Sequence, residues 1–203
     1  MKLNYGIIGT GMMGCEHIRN LKKISDVNIV AIADPNEESR KWARKACEDK
    51  FKIRLYEDYK ELLAENDIDV IVVASPNFTH IEIMRELFKT DKHVLLEKPM
   101  CTTLPDSLEV LEKSKDHGGL VWVGLEYRYM SPIQSLLKHI EEIGDIRMLS
   151  IREHRFPFLE KVDNWNRFNE NTGGTLVEKC CHFFDLMNLI VPSKPIKVYA
   201  SGG

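Results

Sequence analysis

The segment GGTLVEKCCHFFDL carries side chains that could move a proton. Glu178, His182 and Asp185 stand at i, i+4 and i+7, which on a helix forms one polar stripe on an otherwise apolar segment. A histidine beside a carboxylate has its protonated form stabilised and its ring held in place, as a general base requires. The alternative is a solvated helix face on which Glu178 merely pairs with His182.

The segment EKPM (residues 97–100) places Lys98 directly after the apolar run HVLL. Ligands of open α/β sheets bind at the carboxyl ends of the strands, and this lysine stands at such an end. Pro99 cannot continue a hydrogen-bonded strand, so we expect the chain to turn away there and leave Lys98 facing the crevice. The alternative is a surface lysine that pairs with Glu97.

The segment GIIGTGMMG carries Gly9, Gly11 and Gly14 between a strand-like run and a helix-like run. In that context the glycines form the fingerprint of a dinucleotide site, in which Gly9 makes the tight turn, Gly11 admits the pyrophosphate and Gly14 packs helix on strand. The start of the helix, with Met12 and Met13, adds N–H donors and a partial positive charge that face the pyrophosphate. The alternative is a plain turn between a strand and a helix.

Asp34 ends the second apolar run, 20 positions after Gly14. A carboxylate at this place accepts hydrogen bonds from an adenosine ribose and repels a 2′-phosphate, so the sequence favours NAD over NADP. Arg40, on the following segment, could soften this preference.

These groups need strands and helices in a fixed order, and the apolar pattern predicts one. Short, nearly all-apolar runs alternate with amphipathic runs up to about Tyr127, as in parallel strands covered by helices on both faces. We therefore predict an α/β fold with a Rossmann doubly wound parallel sheet over residues 1–124. The predicted strands cover residues 3–9, 27–34, 54–57, 68–75, 92–99 and 120–127, and the predicted helices cover residues 12–24, 37–48, 59–65, 81–89 and 105–115.

Residues 125–203 show a different pattern, which predicts an incomplete α+β open-sheet domain for substrate binding and oligomerisation. A helix over residues 133–143 is followed by an alternating strand at Arg147–Phe156, a helix over Leu176–Ile190 and a last strand at Ile196–Ser201. Two strands make a marginal layer, and their unpaired edges favour association into a homo-oligomer.

The composition argues against several classes of partner. The chain of 203 residues is 43% hydrophobic and 29% charged, and its net charge of -3 gives no electrostatic reason to bind nucleic acid or an anionic membrane. No apolar run reaches membrane-spanning length, and the first residues do not resemble a signal peptide, so we expect a cytoplasmic protein.

The five cysteines lack C-x-x-C spacing, which predicts reduced thiols and no metal site. They are Cys15, Cys47, Cys101, Cys180 and Cys181.

In their order and spacing, the segments GIIGTGMMG, ADP, SPNFTH, EKPM and GGTLVEKCCHFFDL resemble the Gfo/Idh/MocA family of sugar and polyol oxidoreductases. The resemblance extends along the whole chain. It implies a dinucleotide domain followed by an open-sheet α+β domain that covers the nicotinamide and often forms the oligomer interface. It also implies that Lys98, Glu178 and His182 handle the substrate hydroxyl. The sequence departs from the family in having Glu178 for a usual Asp, Cys180 for a usual Gly, and a charge at Lys179.

The implied reaction is the reversible oxidation of a secondary alcohol of a sugar or cyclitol, with NAD taking the hydride. His182 would remove the hydroxyl proton, Lys98 would stabilise the charge on the oxygen, and Glu178 would orient His182. One alternative is an NAD-dependent glycosidase that acts by transient oxidation and elimination. Another is a sensor that binds a dinucleotide without catalysis.

Loop positions supply the remaining candidates. Asn77 and His80 follow the fourth strand and are expected to line the cofactor cleft, although Asn77 would also suit a helix cap. The aromatic face of Trp165 and the guanidinium groups of Arg128 and Arg167 suit contacts with a polyhydroxylated ring. Trp165 could equally be a packing residue. The predicted catalytic residues are Lys98, His182 and Glu178, the cofactor residues are Gly9, Gly11, Met12, Met13, Gly14, Asp34, Ser75, Asn77, His80, Glu97 and Lys98, and the substrate residues are Arg128, Trp165, Arg167 and Asp185.

Overall fold

The computed structural model describes residues 2–48, 52–154 and 159–201. It confirms the doubly wound parallel sheet. The strands are β1 (Leu3–Ile8), β2 (Val27–Ala33), β3 (Arg54–Tyr56), β4 (Val70–Val73), β5 (His93–Glu97) and β6 (Val121–Gly124). They pair in parallel in the order β3-β2-β1-β4-β5-β6.

Apolar side chains on both faces explain why the strands read as continuous hydrophobic runs. In β4 every residue is buried, and successive side chains point to opposite faces. Ile71 and Val73 pack in the core on one face, and Val72 packs in the core on the other. Helices cover both faces, so neither side of the sheet can be polar.

The helices of the sheet unit are α1 (Met12–Leu21), α2 (Glu37–Cys47), α3 (Tyr59–Leu63), α4 (His80–Leu87) and α5 (Leu104–Lys115). Side-chain oxygens satisfy backbone N–H groups at several of their N-termini. Asn36 accepts from the Ser39 N–H at the start of α2, and Thr103 accepts from the Asp106 N–H at the start of α5.

The strand order places a crevice at the carboxyl ends of β1 and β4. The chain leaves β1 toward β2 on one side, whereas β4 pairs with β1 on the other side. Such a reversal leaves space between the connecting loops, and it is where open α/β sheets bind ligands.

Short helices make up most of the regular structure after β6. They comprise a 3₁₀ helix at Glu126–Tyr129, α6 (Ser131–Lys138), α7 (Ile140–Ile143), a 3₁₀ helix at Val162–Arg167, α8 (Asn169–Thr172), α9 (Thr175–Glu178) and α10 (Cys181–Ile190). Helix α10 packs against the 3₁₀ helix Glu126–Tyr129, and α8 packs against a 3₁₀ helix at Asn77–Thr79. This part of the chain therefore docks beside the carboxyl ends of the sheet.

The two strands predicted after residue 125 are wrong within the described residues. No strand forms over residues 147–154 or 196–201, and residues 155–156 lie outside the described part of the chain. Alternating side chains favour a strand only when a neighbouring strand supplies hydrogen bonds. The described residues after β6 contain no such neighbour.

The single helix predicted over Leu176–Ile190 is also wrong, because α9 ends at Glu178 and α10 begins at Cys181. In a continuous helix the Glu178 carbonyl would accept from the His182 N–H. Instead it accepts a hydrogen bond from the Lys98 ammonium, at 3.1 Å. The polar stripe of Glu178, His182 and Asp185 is consequently divided between two helices.

None of the helices in the described ranges is both long and apolar enough to cross a bilayer.

Candidate active site

A cavity of about 1230 Å³ opens at the carboxyl ends of β1, β2, β4 and β5. The glycine loop and Asp34 line one part of it, and residues of α9 and α10 line another. The cavity therefore brings the predicted dinucleotide loop and the predicted proton-transfer residues into one space.

The glycine loop has the geometry of a cradle. Gly9 has φ +85°, and a Cβ there would lie 2.7 Å from the Ala74 carbonyl carbon. A Cβ at Gly14 would lie 3.0 Å from the Gly9 carbonyl carbon, so helix α1 packs directly on the loop. A Cβ at Gly11 would meet none of the described atoms within 4 Å. The predicted turn at Gly9 and the predicted helix packing at Gly14 are confirmed, and Gly11 faces open space in which a pyrophosphate would fit.

Asp34 follows β2 and lines the cavity, as the sequence predicted. Its carboxylate accepts hydrogen bonds from the Thr10 N–H at 2.7 Å and the Asn36 N–H at 2.9 Å. Each carboxylate oxygen can accept further hydrogen bonds, so this anchoring leaves capacity for a ribose. The guanidinium of Arg40 donates to the Asp34 and Pro35 carbonyls and to Glu57, and Arg40 does not line the cavity.

Ser75 and Asn77 line the cavity beside the glycine loop. Asn77 is the first residue of its 3₁₀ helix and makes no cap. Its amide nitrogen is buried, and no acceptor among the described residues lies within hydrogen-bond distance of it. Because a buried donor without a partner costs free energy, this nitrogen is suited to a polar ligand group.

His80 does not line the cavity, unlike Asn77, and is fully buried. Its Nδ1 lies 2.9 Å from the Pro99 carbonyl and its Nε2 lies 3.2 Å from the Ser75 carbonyl. Burial lowers the pKa of His80, although both carbonyls oppose that shift. The ring thus joins the loop after β4 to the loop after β5 and positions both from beneath the cavity.

Glu97 and Lys98 do not form the surface pair that was the alternative from sequence. Glu97 is buried, and its Oε1 lies 2.7 Å from Nε2 of His17 on α1. Burial raises the pKa of Glu97, but the hydrogen bond and charge of His17, with the charge of Lys98, outweigh it and hold that pKa below its ordinary value. The Lys98 ammonium reaches the Glu178 carbonyl, so the lysine faces the cavity where α9 meets the sheet.

His182 forms part of the cavity wall with only 1% of its surface exposed. Its ring stacks on Tyr127, with centroids 4.1 Å apart and an angle of 8° between the planes. Its Nε2 lies 3.5 Å from Oε1 of Glu126, which follows β6. Glu178 also lines the cavity and is buried, but among the described residues it is the Glu126 carboxylate that lies within ion-pair distance of His182.

Trp165 lines the cavity together with Lys161. The Lys161 ammonium lies 4.7 Å from the centre of the Trp165 ring. Burial lowers the pKa of Lys161, and Lys98 adds to that shift while Glu178 and Glu97 oppose it. Phe78 contacts the indole of Trp165 edge-on, with ring centroids 6.3 Å apart.

The other predicted substrate residues lie apart from the cavity. Arg128 donates to both carboxylate oxygens of Asp185, through Nε at 2.6 Å and through Nη2. Neither residue of this pair lines the cavity, nor does Arg167, which is exposed. The Arg128–Asp185 pair instead joins the 3₁₀ helix after β6 to α10.

Sequence reasoning missed several residues of the site. Glu126 and Tyr127 follow the last strand of the sheet, so the rule that selected Lys98 could have found them. Lys161 precedes the 3₁₀ helix Val162–Arg167 and Asn166 lies within it, in a polar segment whose sequence has no recognisable periodic pattern. His17 pairs with a residue 80 positions away, which no local pattern indicates.

Two family models match the chain. The model described as the NAD-binding Rossmann fold of the oxidoreductase family matches residues 3–125. The model described as the C-terminal alpha/beta domain of the same family matches residues 138–203.

Individual proteins agree with this match. An oxidoreductase of Bacillus subtilis named as uncharacterized is 31% identical over 201 residues, which are 97% of this chain and 56% of that protein. Myo-inositol 2-dehydrogenase of Thermotoga maritima is 29% identical over 203 residues, which are 98% of this chain and 58% of that enzyme.

A solved structure is also similar. Myo-inositol dehydrogenase from Lactobacillus casei in complex with NAD(H) and myo-inositol is 30% identical, with a TM-score of 0.63 over 70% of this chain and 42% of that one. The chain thus spans little more than half the length of the curated relatives that it matches. It belongs to the Gfo/Idh/MocA family of oxidoreductases.

Proposed function

We propose that this chain supplies the cofactor site and the proton-transfer residues of an NAD-dependent oxidoreductase acting on a secondary alcohol of a sugar or cyclitol. The observation that carries the proposal is the single cavity lined by Gly11, Asp34, Lys98, Glu178 and His182. The identity of the substrate class rests on the relatives named as inositol dehydrogenases.

Gly11, Asp34 and Asn77 are the residues that would hold the dinucleotide. The open side of Gly11 admits the pyrophosphate, the start of α1 offers N–H groups to it, and the buried Asn77 amide can donate to the ligand. When bound, the nicotinamide supplies the acceptor for the hydride.

In the proposed reaction His182 takes the hydroxyl proton of the alcohol as hydride leaves the same carbon. Lys98 donates a hydrogen bond to that oxygen and stabilises the charge that develops on it. Glu178 contributes a buried carboxylate to the same space, and its backbone carbonyl holds the Lys98 ammonium at the cavity. Trp165 presents an aromatic face to the substrate ring.

The test is the formation of NADH with a panel of cyclitols and aldoses. We expect NADH to accumulate with at least one of them. Net hydrolysis of a glycoside without accumulation of NADH would instead favour the glycosidase alternative. NADH binding with no reaction on either class of substrate would favour the sensor.

We propose NAD rather than NADP as the cofactor, on the basis of Asp34. Glu57 adds a second carboxylate to that wall, and Arg40 is directed at backbone carbonyls and at Glu57. A 2′-phosphate would therefore meet the negative charge of Asp34, while the charge of Arg40 is already paired with Glu57.

Asp34→Asn should weaken NADH binding and narrow the preference over NADPH. A hydrogen bond to a charged group contributes about 1.5–3 kcal/mol, so we expect the NADH affinity to fall about 10- to 100-fold. Nicotinamide fluorescence with each cofactor measures both affinities. Asp58→Asn is the matched control, because Asp58 caps α3 and does not line the cavity. An unchanged preference in the Asp34 variant would remove Asp34 from this role.

We further propose that residues 1–124 form the dinucleotide-binding domain, that residues 125–203 form part of a substrate-binding domain, and that this second domain supports a homo-oligomer. Ile196, Val198 and Tyr199 are 99%, 82% and 89% exposed, which leaves apolar surface for a second copy to cover. Light scattering should give a mass above that of the monomer. A monomer mass that is independent of concentration would contradict this proposal.

A further inference from the structure

His182 must lose its proton in every turnover if it acts as the base. Its ring is 1% exposed, so water cannot reach most of its surface. A buried base needs a neighbouring group that reaches solvent and can accept the proton.

Glu126 has the required placement. Its Oε1 lies 3.5 Å from Nε2 of His182, and 56% of its side chain is exposed. The carboxylate lines the cavity at the point where the chain leaves β6. A separation of 3.5 Å is closed by a small side-chain movement, as catalytic contacts often tighten on substrate binding, or by one bridging water.

The neighbouring residue fixes the ring in this orientation. Tyr127 stacks on His182 with nearly parallel planes, and its hydroxyl accepts a hydrogen bond from the Lys179 ammonium at 3.1 Å. Because Glu126 and Tyr127 are adjacent in one 3₁₀ helix, the stacked ring and the carboxylate are positioned together.

The charges around Glu126 suit a group that holds a proton briefly. Partial burial against the cavity wall raises the pKa of Glu126, and the carboxylate of Glu97 raises it further, whereas a hydrogen bond from its own backbone and the charges of Lys98 and His17 lower it. A higher carboxyl pKa lies closer to the pKa of an imidazole, so proton transfer from the imidazolium to the carboxylate is less unfavourable. Lys179 is a further charge beside the stacked Tyr127.

We propose that Glu126 carries the proton between His182 and solvent, an inference that rests on the proposed dehydrogenase function. The alcohol O–H bond breaks as an N–H bond forms at Nε2 of His182. That N–H bond then breaks as an O–H bond forms at Oε1 of Glu126, and water or buffer takes the proton and restores the carboxylate. In the direction of carbonyl reduction the same steps run in reverse.

The test compares Glu126→Gln with Glu141→Gln, a control on the exposed helix α7, in the full-length protein with NAD and a substrate that it oxidises. In dilute buffer we expect kcat of Glu126→Gln to fall by about 10-fold or more, with KM nearly unchanged, because proton release becomes limiting. Added imidazole or formate should restore kcat in a concentration-dependent manner. The control should show neither effect.

Two measurements without turnover complete the test. NADH binding to Glu126→Gln should match that of the unsubstituted protein, which shows that the fold and the cofactor site are intact. The NMR titration midpoint of the His182 ring should move to lower pH, because a nearby carboxylate no longer stabilises the imidazolium.

Each outcome bears on one proposal. Full activity of Glu126→Gln in dilute buffer, or a loss of activity that added buffer does not restore, would overturn the role of Glu126 alone. Absence of dehydrogenase activity in the unsubstituted protein would overturn the proposed function itself.

Discussion

Lys98→Ala should lower turnover by about 10²- to 10³-fold, the effect typical of losing one donor to a developing oxyanion. The ammonium lies at the cavity, where it donates a hydrogen bond to the Glu178 carbonyl. The cradle for the dinucleotide is formed by other residues, so NADH binding should change little. Lys113→Ala is the control, because Lys113 forms a surface ion pair with Glu109.

His182→Ala should lower turnover by about 10²- to 10⁴-fold, the usual contribution of a placed acid–base group. If Lys98 and His182 act on one substrate oxygen, the double variant should be scarcely slower than the slower single variant.

Glu178→Gln should lower turnover less than His182→Ala does, because it leaves both His182 and the Glu178 carbonyl that holds Lys98. Steady-state kinetics with one substrate that the unsubstituted protein oxidises would measure the turnover of all four variants. Near-normal turnover of Lys98→Ala would show that the lysine is not catalytic.

Gly11→Ala and Gly14→Ala should have different effects on stability, and the comparison shows whether the glycine loop binds a dinucleotide or is only a turn. A Cβ at Gly14 would strike the Gly9 backbone, so Gly14→Ala should destabilise the fold by about 1–3 kcal/mol, as overpacking does. A Cβ at Gly11 would meet none of the described atoms within 4 Å, so Gly11→Ala should leave the free energy of unfolding nearly unchanged. It should nevertheless weaken NADH binding, because the methyl group would occupy the space for the pyrophosphate.

Denaturant unfolding and NADH fluorescence titration would measure the two properties on the same samples. Unaltered NADH affinity in Gly11→Ala would mean that the loop does not hold the pyrophosphate. A stable, fully binding Gly14→Ala would mean that the packing of α1 on the loop does not position the site.

The sheet and the glycine loop were predictable because their causes are local. Buried strands need apolar residues at every position, and β4 shows this in four consecutive residues. The turn at Gly9 needs a positive φ, and the packing at Gly14 leaves no room for a Cβ. Each requirement is local and is met by glycine, so it can be read from the sequence.

The structure after β6 was less predictable because its causes are distant. The helical spacing of apolar residues continues across Glu178 and Cys181, yet the helix is interrupted where the Lys98 ammonium donates a hydrogen bond to the Glu178 carbonyl. That interaction joins residues 80 positions apart. The alternation at residues 147–154 likewise could not reveal that the described chain lacks a strand to pair with it.

The pairing of His182 with Glu126 rather than Glu178 follows from the same helix break. On one continuous helix the i, i+4 spacing would have placed Glu178 beside the ring. With α9 and α10 separate, Oε1 of Glu126 lies 3.5 Å from Nε2 of His182, and the Arg128–Asp185 pair holds the 3₁₀ helix that contains Glu126 against α10.

Transfer of deuterium from substrate to cofactor would show whether the hydride passes directly from the alcohol carbon to the nicotinamide. A cyclitol or aldose that supports NADH formation would be labelled with deuterium on the carbon that bears the oxidised hydroxyl, and the products would be examined by mass spectrometry. Direct hydride transfer in this cavity predicts NADH that carries one deuterium and a ketone product that has lost it. Unlabelled NADH, or a hydrolysed glycoside with no accumulated NADH, would overturn the proposed dehydrogenase reaction.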